Sequence, residues 1–125
     1  MIRGAFVLMF ATLPLLCGDP ARPPRDTAAL RVFFGGSCVR CHGADGSGRD
    51  SDGKRLKGAD FTDVKAMGKE KDAALAKTIL KGLFFGLEMP AFSSQLSEEE
   101  ALRLVQEIIR KAEKGKAIAP GSGPK

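Results

Sequence analysis

The chain has 125 residues and a formal net charge of +5, from 20 Lys and Arg against 15 Asp and Glu. That is the size of one ordinary domain, and so small a positive excess, with no Lys/Arg block, excludes a protein that tracks nucleic acid. There is no Trp, no Tyr and only eight Phe, a thin aromatic supply for a small core, which a large apolar body from outside the chain would complete.

Residues 1–17 read as a secretory signal: Arg3 gives a positive start, and the apolar run over 5–16 is too short to span a bilayer and contains Pro14. Cys17 ends it, where a lipoprotein signal places its lipidated cysteine, although Leu16 stands where a small residue is expected. Residues 18–25 are a Pro/Arg-rich linker, and 26–113 make the domain. Asp26 or Thr27 caps a first helix through Leu30, Val32, Phe33 and Phe34 toward Cys38. Residues 43–54 are rich in Gly, Asp and Ser and read as loop. Thr62 is expected to cap one turn ending at Met67.

A helix is expected over 72–81 with Leu75, Ile79 and Leu80 inward and Gly82 as its C-cap. Residues 82–95 contain Gly82, Gly86 and Pro90 and should be irregular. Ser97 and Glu100 then form a capping box before Ala101, Leu104, Val105, Ile108, Ile109 and Ala112, which keep helical periodicity up to Gly115. Residues 114–125 read as a flexible tail. No strand pattern competes, so the expected fold is all-α, with three to five helices.

The chemistry lies in Cys38-Val39-Arg40-Cys41-His42, the attachment motif of c-type haem. Two thiols separated by two residues on a helical turn can each add to one porphyrin vinyl group. The next residue then supplies an axial imidazole. A structural zinc site wants four Cys or His ligands, whereas this chain has three cysteines and one histidine. A thioredoxin-like Cys-x-x-Cys wants a βαβ setting, which is missing.

Because His42 is the sole histidine, the sixth iron ligand is Met67, Met89, a lysine, or none. Met89 is preferred. It lies in the irregular Gly86-Leu87-Glu88-Met89-Pro90-Ala91-Phe92 loop, which Pro90 stiffens. Met67, on a helical turn, reads as a packing residue.

The segment from Cys38 to Gly48, the stretch from Leu56 to Phe61, the Met89-Pro90-Ala91-Phe92 loop and the Ser97-capped helix together resemble a class I cytochrome c. The resemblance covers residues 26–113. It implies the small all-α cytochrome c fold around one covalent haem c, with thioether attachment at Cys38 and Cys41. His42 would be the proximal ligand and Met89 the distal one.

Three departures are visible. Where the family often has a proline whose carbonyl steadies the proximal histidine, Lys54 stands, and its carbonyl is the expected partner of His42. The family tends to cross a glycine of the first helix against an aromatic of the last. Leu30 lies near that point and the last helix lacks an aromatic, so aliphatic contacts are expected. Arg55 and Lys57 are candidates for the haem propionates or simple surface charges.

The expected function is one-electron transfer between membrane-bound or soluble redox proteins, in the periplasm or elsewhere outside the cytoplasm. A tether through the N-terminus is one option, and Lys65, Lys69, Lys71, Lys77 and Lys81 are either a docking surface or solvated helix faces. No acid–base pair or nucleophile points to an enzyme. A peroxidase-like haem enzyme or a haem sensor would need an open sixth site.

Overall fold

The computed structural model describes residues 22–121, so the signal segment and Cys17 lie outside the described residues. Five α-helices occur among these residues: α1 Thr27–Ser37, α2 Val39–His42, α3 Val64–Met67, α4 Asp72–Lys81 and α5 Glu98–Glu107, with 3-10 turns at Phe84–Gly86 and Ile109–Lys111. Strand pairing among them is limited to isolated bridges between Arg49 and Arg55 and between Leu83 and Met89. The fold is all-α, as expected.

Local chemistry sets the helix starts. Asp26, not Thr27, caps α1, its carboxylate accepting the Ala29 N–H at 2.8 Å. The capping box of α5 is complete: Ser97 accepts the Glu100 N–H, and the Glu100 carboxylate accepts the Ser97 N–H. Asp63, not Thr62, caps α3, accepting from Ala66 N at 3.0 Å. Thr62 is already committed, because both its N–H and its hydroxyl donate to the Asp60 carboxylate, a local turn that competes with capping.

The core forms where α1 crosses α5 and α4 packs along it. Leu30 and Phe34 of α1 and Ala101, Leu104 and Val105 of α5 are fully buried. The crossing is therefore aliphatic on the α5 side, as expected, but α1 contributes a phenyl ring.

Two expectations fail at the C-terminal end. Periodicity predicted one helix up to Gly115, but α5 stops at Glu107. Ile108 leaves helical geometry at φ −124°, ψ −62°. The tighter turn beyond it keeps both Ile108 and Ile109 buried and turns Arg110 toward the end of α3. There Arg110 donates to the carbonyls of Met67 and Glu70 and pairs with Asp72 at 2.9 Å.

Within the expected flexible tail, residues 115–119 fold back instead. Ile118 and Ala119 are buried. The Ile118 N–H donates to Ala44 O at 2.8 Å, its carbonyl accepts from Arg31, and the Gly115 N–H donates to Asp45. A Cβ on Gly35 would lie 2.8 Å from the Ala119 Cβ, so the glycine in α1 lets the tail approach.

Candidate haem-binding site

The attachment motif occupies the junction of α1 and α2. The N–H of Cys38 closes α1 on Phe34 O at 2.9 Å, and its own carbonyl accepts from both Cys41 N and His42 N. One turn therefore carries both thiols and the imidazole, and neither cysteine is in a disulfide. Burial, then the neighbouring Cys41, pushes the Cys38 thiol up to about 12, so it is held neutral.

His42 is fixed from two directions. Its Nδ1 lies 3.0 Å from Ala59 O, so Nδ1 carries the proton, and Nε2 keeps its lone pair for a metal. Its ring stacks on Phe61, with centroids 4.3 Å apart and planes 17° from parallel. Burial lowers the affinity of His42 for a second proton, the Ala59 bond opposes this, and the Arg55 charge adds to the lowering. A neutral imidazole is the form that ligates iron.

The carbonyl partner corrects the sequence reading, which placed it at Lys54. Lys54 O instead accepts the Asp50 N–H at 3.0 Å inside a tight turn. The chain reaches His42 five residues later, at Ala59, because Gly58 can press against the motif. Its N–H donates to Cys41 O at 2.7 Å, and a Cβ there would lie 2.4 Å from that oxygen and 2.6 Å from His42 Nδ1. The signal available in the sequence was this lone glycine just before Ala59.

Arg55 does not face the cleft. Its Nη1 donates to Gly48 O at 2.7 Å and Gly58 O at 2.9 Å, bracing the two loops that flank the motif. Lys57 does line the cleft, and so does Arg40, which sequence reasoning passed over.

The cleft is built mostly of apolar side chains. Cys38, Cys41, His42 and Phe61 come from the motif side, Leu75, Thr78 and Ile79 from α4, and Leu83, Glu88, Met89, Pro90 and Phe92 from the hairpin after α4. Met67 and Ile109 also line it. The two candidate methionines thus reach the same space. Met67 belongs to the buried core, while Met89 is half-buried on the hairpin. Lys77 and Lys81 line a different groove, between α4 and the start of α5, together with Glu98.

Among the described residues no three His, Cys, Asp or Glu side chains converge to hold a bare metal ion. Two thiols and one imidazole beside an apolar slot suit a macrocycle that brings equatorial iron ligands of its own. The residues present fit a covalently attached haem.

The comparisons agree. The family model for cytochrome c oxidase, cbb3-type, subunit III matches residues 25–106. The chain belongs to the cytochrome c family. Cytochrome c6 of Leptolyngbya boryana is 33% identical over 90 residues, covering 72% of this chain and 98% of that protein. Among solved structures, the c-type cytochrome KustC0563 superposes with a TM-score of 0.52 at 23% identity, covering 67% of this chain and 96% of its own. This is a likeness of fold. A point mutant of KustC0563 gives 0.51 at 27% identity, covering 67% and 98%. As a cytochrome c, the protein carries one covalent haem c and is an electron carrier, not an enzyme.

Proposed function

We propose that Cys38 and Cys41 hold the haem through thioether bonds, that His42 Nε2 and the Met89 sulfur are the axial iron ligands, and that the protein passes single electrons between redox proteins outside the cytoplasm. The observation that carries this reading is that His42 and Met89, from separate elements, line the same apolar cleft beside both thiols. When bound, the haem supplies a one-electron couple, and thioether ligation raises its potential.

The polypeptide does the rest. Ala59 O orients the imidazole and keeps it neutral, and Phe61 limits its rotation. Leu83 N–H donates to Met89 O at 2.9 Å, so backbone pairing holds the methionine segment in place and limits reorganisation between redox states. The mostly apolar lining offers few groups to hold water, which favours a fixed coordination sphere over exchange of the sixth ligand.

Secretion on the signal in residues 1–17 brings the chain to the compartment where such haem is attached, and cleavage there leaves the working domain that begins at residue 26, to which the packed residues Ile118 and Ala119 also belong. Cys17 is the candidate tether if that signal is of lipoprotein type. Among the described residues, no helix is long and apolar enough to cross a membrane.

An optical spectrum tests the ligand set. The ferric protein is expected to be low-spin with the weak near-infrared band of iron–thioether ligation. Met89→Ala should abolish that band and Met67→Ala should leave it. A high-spin ferric wild type, or the reverse pattern in the variants, overturns the assignment.

A further inference from the structure

The hairpin that carries Met89 ends in an apolar tip. The Leu83–Met89 bridge closes it, and beyond the bridge Phe84, Phe85 and Leu87 are 66%, 106% and 89% exposed. Phe84 and Phe85 sit at φ 48° and 55°, the non-glycine residues of positive φ among the described residues. That backbone is costly for bulky side chains. Single apolar residues on a surface need no explanation, but a contiguous group held out on a strained turn does. The tip adds nothing to the core, so its gain lies in contact with something else.

Its position indicates the occupant. Leu83, Glu88 and Met89, at the base of the tip, line the haem cleft, so whatever seats on the tip stands at the electron exit. Arg40 and Lys57 line the same cleft, and neither belongs to an ion pair among the described residues. Against them stands the single carboxylate of Glu88. A second copy would bring the same cations face to face in a chain of net charge +5. A bilayer would drag Glu88 into its interface and turn the mouth toward lipid.

We propose that the Phe84–Leu87 tip is a docking plug that inserts into an apolar recess, edged by carboxylates, on the redox protein that exchanges electrons with this cytochrome. The proposal rests on the electron-carrier reading. The tip supplies affinity by desolvation, and the Arg40 and Lys57 charges steer the encounter.

The test uses the haem-loaded full chain and its Phe85→Ser/Leu87→Ser variant, both changes being at exposed positions. The reduced proteins are oxidised in stopped flow by respiratory membranes of the producing cells and, separately, by hexacyanoferrate(III). The variant should show a KM for the membranes raised about tenfold, the scale of losing one interface anchor, with the hexacyanoferrate rate unchanged. The wild-type membrane reaction should slow as salt rises.

An unchanged KM overturns the proposal. So does loss of sedimentation with phosphatidylglycerol vesicles in the variant at unchanged KM, which assigns the tip to lipid. A wild-type dimer that the variant abolishes at unchanged KM likewise assigns it to self-association. A wild type that reacts with hexacyanoferrate but never with the membranes overturns the carrier reading and the tip with it.

Discussion

The Glu100 carboxylate, 1% exposed, accepts hydrogen bonds from Arg25 through both its backbone N–H at 2.8 Å and its guanidinium. Arg22 pairs with the same carboxylate at 2.9 Å. One residue thus completes the capping box of α5 and fastens the segment that leads into α1.

This arrangement makes stability pH-dependent. Burial alone would raise the Glu100 pKa, but the Arg25 and Ser97 N–H groups and the two guanidinium charges outweigh it and hold the carboxyl below its usual value. A folded-state pKa below the unfolded one gives stabilisation that is complete above the unfolded pKa and is lost as pH falls through the folded one. Glu100→Gln should cost about 2–4 kcal/mol at neutral pH. In urea titrations its deficit should shrink below the ordinary carboxylate range, and a constant deficit would contradict the pairing.

Two glycines predict opposite outcomes. Gly58→Ala places a methyl against Cys41 O and His42 Nδ1, so haem attachment, read as covalent haem staining, should collapse. Gly36→Ala meets nothing within 4 Å inside α1 and should raise stability by up to about 1 kcal/mol from helix propensity. Thermal melts of the haem-loaded protein check the second.

Phe61 stacks on His42 and meets the edge of Phe34. Phe61→Ala should lower stability by about 2–3 kcal/mol, below the full cost of a deeply buried ring because Phe61 is half-buried. It should also broaden the His42 resonances, as the imidazole regains rotation. Phe61→Leu should restore most of the stability and little of the rigidity.

The tail offers a packing test. Ile118 is 6% exposed and its N–H is bonded to Ala44 O. Truncation after Gly115 should cost about 2–4 kcal/mol, the scale of removing one buried aliphatic side chain, in chemical denaturation. No loss would mean that the tail merely rests on the surface.

The methionines separate ligation from packing. Met67→Ala should destabilise the fold by about 2–4 kcal/mol, because the side chain is buried, with the near-infrared band retained. Met89→Ala should remove the band and open the iron to added imidazole, with a smaller loss of stability.

The motif was legible in the sequence because its meaning is local: three side chains on one turn need no partner to be recognised. The same holds for the capping box of Ser97 and Glu100 and for the glycine that ends α4. Periodicity also gave the inner faces of α4 and α5. These features depend on residues within four or five positions of each other.

What the sequence could not decide is long-range. Ala59 rather than Lys54 meets His42 because Gly58 presses on Cys41 O, a contact between segments 17 residues apart. Composition read 114–125 as loose, since nothing nearby in the chain marks Ile118 as buried, and the residues it meets, Arg31, Ala44 and Gly46, lie far back in the sequence. Arg55 looked like a free cation and is spent on two carbonyls of folded loops. The exposed phenyl rings beside Met89 had no sequence signature at all, because exposure of an apolar residue is a property of how the rest of the chain packs without it.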